Sequence, residues 1–194
     1  MLKHLLMLSM LAFFAAPEAQ AALLVYEASL NGISESPPNA SPATGFTTVS
    51  FNDVAHTLHV GVTFSDLLGG DTVAHIHCCT TSPGTGTIGG ATTTPTFTGF
   101  PTSVTSGSYD HTFDLTLASS FNPAFVTAQG SAAAVEAALA MGLADGTFYL
   151  NIHSTVFPGG EIRGFLHAVP IPAPATGFLL GIGLLLPLYK RRRV

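Results

Sequence analysis

The sequence predicts an all-β antiparallel domain, a sandwich or barrel, on three observations. Short runs in which Val, Phe, Leu and Ile alternate with Thr, Ser, His and Asn recur between residues 23 and 168. Turn-forming pairs such as Asn52-Asp53, Gly69-Gly70, Asn122-Pro123 and Pro158-Gly159 separate them. Only one stretch, Ser131–Met141, has the composition and boundaries of a helix.

The elements follow in order. Leu23–Leu30 (LLVYEASL) is the first strand, and Ser34–Thr44 is a loop of Ser, Pro and Asn. Gly45–Asn52 and Thr57–Ser65 are half-buried strands joined by a turn at Asn52-Asp53. Leu67 to Gly70 breaks the alternation, and Thr72–Cys79 (TVAHIHCC) resumes it. Thr80–Ser108 is a long Thr/Ser/Gly/Pro segment, and no Asp, Glu, Lys or Arg occurs from Thr72 through Tyr109. A segment of this length is a functional loop or a low-complexity surface loop. Tyr109–Leu117 alternates again, and Asn122-Pro123 interrupts the chain. In the helix, Ser131 is the N-cap, Gly142 stands just past the end, and Val135 and Leu139 form the buried stripe. Thr147–Ser154 and Gly160–Ala168 make a final hairpin through Phe157-Pro158-Gly159.

Both ends read as targeting signals. Lys3, the apolar run Leu5–Ala16 and the Ala19-Gln20-Ala21 cleavage pattern make residues 1–21 a signal peptide. At the other end, VPIPAP from Val169 to Pro174 precedes an apolar stretch and the cluster Lys190-Arg191-Arg192-Arg193. That stretch sits at the short edge of the roughly 17–25 residues that span a bilayer, and the basic cluster would stay cytoplasmic. A single domain, residues 22–168, lies between the signals.

Charge narrows the partners. The chain carries 6 Lys/Arg against 11 Asp/Glu, a net charge of −5. Arg163 is the only cation between the two terminal signals. Nucleic acid, whose phosphates need Lys and Arg, is excluded as a partner.

Three passages carry a family resemblance: AHIH at Ala74–His77, SYDHTFDLTLASSFNPAFV at Ser108–Val126, and GTFYLNIHSTVFPGGEIRGFL at Gly146–Leu166. Together they resemble the CHRD domain, named from chordin. The resemblance covers most of residues 22–168 and implies an immunoglobulin-like β-sandwich. The tail resembles a PEP-CTERM sorting signal in Val169, Pro170 and Pro172, the apolar stretch, and Arg191, Arg192 and Arg193, with Ile171 in place of the usual Glu. That resemblance implies export by a Gram-negative bacterium and transient anchoring in the inner membrane. It also implies an exosortase-type processing partner and delivery to the cell surface or an exopolysaccharide matrix.

Strand geometry then groups the histidines. With alternating faces, Ala74, Ile76 and Cys78 share one side of their strand, and His75, His77 and Cys79 the other. In the later strand Phe148, Leu150 and Ile152 oppose Tyr149, Asn151 and His153. If the apolar faces share one core and the strands are neighbours, His75, His77 and His153 meet on the outside. Imidazoles so placed suit copper or zinc. The pattern resembles the copper side of the Cu/Zn superoxide dismutases, which also use an H-x-H strand and a later strand histidine. The dismutase's bridging histidine and zinc loop have no counterpart here. His111 is a candidate fourth ligand or outer-shell residue, and His56 and His59 read as surface residues. The plain alternative is that these histidines only hydrogen-bond across strands.

Cys78 and Cys79 are the only cysteines. An oxidising compartment favours pairing. Across a trans peptide, though, consecutive Cα atoms are ~3.8 Å apart, below the usual disulfide range of ~4.4–6.8 Å. A vicinal disulfide, a thiolate ligand, and one buried plus one incidental thiol all remain open. Glu161 and Arg163, two apart, read as a structural pair, a link from Arg163 to a nearby acid, or an anion clamp. No Gly-x-Ser-x-Gly elbow or phosphate-binding loop occurs, and no pair of carboxylates suggests a hydrolase. Two functions are expected: a non-catalytic surface or matrix module, and an extracytoplasmic copper or zinc protein centred on His75, His77 and His153.

Overall fold

The computed structural model describes residues 23–170. The expected signal peptide with Ala19 and Ala21, the expected terminal helices, and Pro172 and Arg191–Arg193 of the tail lie outside the described residues.

The domain is all-β and antiparallel. Its strands are β1 (Leu24–Asn31), β2 (Thr44–Asn52), β3 (Thr57–Ser65), β4 (Asp71–His77), β5 (Gly107–Asp114), β6 (Tyr149–Ser154), β7 (Ile162–Phe165) and β8 (His167–Ala168). All join one sheet in the order β4-β6-β7-β1-β2-β3-β5, with β8 also on β1. The sheet is continuous and curled into a half-barrel. Val169 extends the β8 pairing, its N–H donating to Val25 O at 2.8 Å.

Alternation decides what the curl encloses. Leu58, Val60, Val62 and Phe64 of β3, Ala74 and Ile76 of β4, and Leu150 and Ile152 of β6 all point into one core. Phe97, Phe121, Phe148 and Leu115 fill it from the connections. Phe97 stacks on Tyr109 of β5 at 5.4 Å between ring centroids, so the segment before β5 bridges the two edge strands.

That segment is not a loose surface loop. It runs along the free edge of β4 and completes its hydrogen bonding. Ala91 N donates to Ile76 O, Phe97 N to Ala74 O and Ser103 N to Asp71 O, at 2.7–2.9 Å. Side chains supply the rest: Thr92 Oγ1 accepts from Ile76 N and Thr96 Oγ1 from Ala74 N, both at 2.9 Å. The threonines do for β4 what a neighbouring strand would do.

Two helices are present where one was expected. Helix α1 (Pro123–Gln129) begins at Asn122, whose side chain accepts from Ala124 N, with Pro123 in the first turn and Gly130 left-handed at the end. The sequence reading took Asn122-Pro123 as a break, but proline is well suited to the first helical position. Helix α2 (Ala132–Ala144) is capped by Ser131 and continues through Gly142. It buries Val135 and Leu139, as predicted, together with Leu143. Among the described residues no single helix is long and apolar enough to cross a membrane.

Leu139 is fully buried and Met141 is 62 % exposed on the same helix. Leu139→Ala is expected to lower the unfolding free energy by about 2–5 kcal/mol, and Met141→Ala by less than about 0.5 kcal/mol, both measured by denaturant titration.

Candidate metal centre

β4 and β6 are neighbours, paired so that Val73 faces His153, His75 faces Asn151 and His77 faces Tyr149. Because Ala74, Ile76, Leu150 and Ile152 take the core face, His75, His77 and His153 share the outer face. Their rings are close: 4.5 Å between the centroids of His75 and His77, and 5.0 Å between His75 and His153. One nitrogen from each lies within 4.8 Å of the others.

Each ring is tethered by its Nδ1. His75 Nδ1 donates to Pro95 O at 3.0 Å, His77 Nδ1 to Ile88 O at 2.5 Å, and His153 Nδ1 to Pro158 O at 2.8 Å. A carbonyl only accepts, so each Nδ1 carries the proton and each neutral ring keeps its lone pair on Nε2. His77 Nε2 and His153 Nε2 are buried and have no hydrogen-bond partner. Unpaired buried acceptors are costly.

Burial and neighbouring imidazoles keep the cluster neutral. Desolvation lowers the His77 pKa to about 4, with the His75 ring adding to the shift. Desolvation also lowers the pKa of His75 and of His153. The result is three deprotonated Nε2 donors, oriented by carbonyls that fix the tautomer, as metal-binding histidines generally require. Three nitrogens at ~2.0–2.1 Å from one ion stand about 3.3–3.6 Å apart, so from a spread of up to 4.8 Å coordination would draw the rings together by up to about 1.5 Å. The donor set fits copper or zinc and leaves a position open.

A second layer surrounds the imidazoles. Tyr149 stacks on His77 with ring planes 6° apart and centroids at 4.5 Å, and its hydroxyl donates to Ile88 O at 3.3 Å. Arg163 lies 4.9 Å above the Tyr149 ring. Its Nε donates to Ser34 O, its Nη1 donates to Gly86 O at 3.1 Å, and Glu35 Oε2 is 3.8 Å away. Asn151 Nδ2 donates to Glu35 Oε1 at 2.9 Å.

Two sequence expectations need correction. Glu161 and Arg163 are not partners. Gly160, with φ of 129°, turns the backbone before β7 begins at Ile162, so Glu161 leaves the strand's alternation. Glu161 instead accepts from Ser41 Oγ at 2.6 Å and Leu68 N at 2.7 Å. Arg163 lies 3.8 Å from Glu35 in the loop before β2, the link to a nearby acid that its sequence position allows. His111 does not join the cluster. It sits on β5 at the opposite end of the sheet, on the face it shares with Phe113, whose ring is 4.6 Å away. Of the alternatives open for Cys78 and Cys79, the structure has the vicinal disulfide, with the Cα atoms 3.0 Å apart. His56 and His59 stand apart from the cluster, beside Glu136 and Asp110.

Desolvation pushes Glu35 up from 4.5 to about 7, against the lowering pull of Arg163 and Asn151. The folded protein therefore holds this proton more tightly than the unfolded chain. The stability it supplies is complete below pH 4.5 and is lost as pH rises toward about 7. Glu35→Gln is expected to remove this dependence. The melting-temperature advantage of wild type over the variant should shrink from about pH 4 to about pH 8. A constant difference across thermal scans would contradict the assignment.

No curated protein and no solved structure matches the chain. A family model described as the CHRD domain matches residues 26–166 and spans every element that builds the imidazole cluster. The chain therefore belongs to the CHRD domain family.

Proposed function

We propose that this is an exported structural or binding module that holds a copper or zinc ion on His75, His77 and His153, copper before zinc. The observation that carries this reading is the convergence of three neutral, carbonyl-tethered imidazoles with partnerless Nε2 atoms on His77 and His153. Hydrogen bonding across strands, the plain alternative, does not account for them: each Nδ1 is committed to a loop carbonyl, and two Nε2 atoms bond nothing.

The CHRD family is typical of extracellular or secreted proteins, which supports placement outside the cytoplasm. The acidic, cation-poor surface agrees with a module in contact with metal-bearing surroundings. In the same reading the PEP-CTERM-like tail brings the protein through an exosortase to the cell surface or exopolysaccharide, and the module acts there without turnover. A bound ion would supply Lewis acidity, or one-electron chemistry if copper. The chain's own residues orient the imidazoles, keep them neutral and shield two of the three Nε2 atoms from water.

Titration with Cu(II), Cu(I) and Zn(II), read by elemental analysis and calorimetry, is expected to give one ion per chain. His75→Ala with His153→Ala is expected to weaken binding by more than about 100-fold, beyond the usual effect of an outer-shell change. No stoichiometric metal, or unchanged binding in the double variant, would overturn the assignment. For sorting, intact-mass analysis of the exported protein is expected to show a chain starting at Ala22 and lacking the Arg191–Arg193 cluster.

A further inference from the structure

The vicinal cysteine pair plays no part in the proposed metal site, yet the fold gives it a prepared setting. Cys78 is 1 % exposed, while Cys79 is only half-buried. A cavity of about 440 Å³ opens over the pair, walled by Ile88, Gly90, Asn122, Phe125 and Ala128 among others. A second cavity of about 530 Å³, lined in part by Ala138, Met141 and Gly142 of α2, reaches Cys79 but not Cys78. No Asp, Glu, Lys or Arg lines the first cavity.

Helix α2 is shaped to receive the two sulfurs. A Cβ placed on Gly142 would lie 2.6 Å from Cys79 Sγ and 2.7 Å from Cys78 Sγ. Glycine inside a helix costs about 1 kcal/mol relative to alanine, so the missing methyl makes room for the pair. The carbonyl of Ala138, one turn earlier, lies 3.5 Å from Cys79 Sγ and 3.7 Å from Cys78 Sγ. A thiol at either position would find this acceptor already in place.

We propose that Cys78–Cys79 is a thiol–disulfide exchange site for a small uncharged dithiol, which enters by the cavity beside α1 and attacks Cys79. The first thiol of the reagent gives up its proton and its sulfur bonds to Cys79 Sγ. The Cys78–Cys79 bond breaks, and Cys78 Sγ leaves with the electron pair and takes up a proton. The reagent's second sulfur, deprotonated in turn, attacks the first. Cys79 then leaves with its electron pair and is protonated. Two electrons and two protons pass from the dithiol, which closes to a disulfide, to the cysteine pair. The site stands whether or not the imidazoles hold an ion.

The test uses the folded, exported protein with dithiothreitol as the dithiol. Two thiols per chain are expected to titrate while the near-ultraviolet circular dichroism stays native. Ala128→Trp, an exposed helix position on the cavity wall, is expected to slow their appearance at least tenfold. Single-cysteine variants locate the attacked sulfur. Cys78→Ser, which keeps Cys79, should take up one mercaptoethanol from 2-hydroxyethyl disulfide at least tenfold faster than Cys79→Ser. Thiols that appear only on unfolding, an Ala128→Trp rate equal to wild type, or Cys79→Ser reacting as fast as Cys78→Ser would each overturn the proposal.

Discussion

The free edge of β4 is the constraint on which this structure depends. An end strand exposes backbone N–H and C=O groups that must be paired or covered. Here a long segment without acidic or basic residues does the pairing, with backbone at Ala91, Phe97 and Ser103 and with hydroxyls at Thr92 and Thr96. The chain is thereby held beside the outer face of β4. That position turns Ile88 O and Pro95 O toward the rings of His77 and His75. Edge protection and histidine orientation are one device. It also explains the composition of the segment: threonine can donate and accept at a strand edge, and a charged side chain would have to be desolvated there.

Electrostatics beside the cluster are unusual for an acidic domain. The single Lys or Arg among the described residues, Arg163, is buried against Tyr149 and Phe165 and bonded to backbone carbonyls. It leaves Glu35 only partly compensated, and desolvation wins over attraction. The imidazoles respond to the same low-polarity setting in the opposite sense, since burial drives a carboxyl toward its protonated form and a histidine toward its deprotonated form. Burial thus shifts both kinds of group toward their neutral forms beside the buried Arg163 cation.

Much of this was legible in the sequence, for identifiable reasons. Period-two alternation located β2, β3, β4 and β6 and assigned His75, His77 and His153 to outward faces, because a strand's side-chain geometry leaves no other choice. Whether β4 and β6 touch was not legible. That pairing joins segments some 75 residues apart in chain order, and nothing local encodes it. The role of the Thr-rich segment was hidden for the same reason, since its partners are distant. Helix α1 had complete local signals in Asn122, Pro123 and Gly130, and was missed because proline was weighed as a breaker. The Glu161–Arg163 expectation failed where alternation stops applying, at a glycine with positive φ. Glu35 carried no signal at all: a carboxylate in a Ser/Pro loop looks like any other until the loop folds over Arg163.

The three imidazoles have a consequence for timing. Two come from one strand and the third from another near the end of the domain, and their tethering carbonyls belong to three more places, Ile88, Pro95 and Pro158. No fragment ending before β6 contains the set. A chain that crosses a membrane unfolded would therefore arrive with its donors scattered. Any ion it holds would be acquired on the far side, after its last strands close. Metal choice would then be decided by what that compartment offers at the moment of folding, and less by relative affinities measured in a mixture.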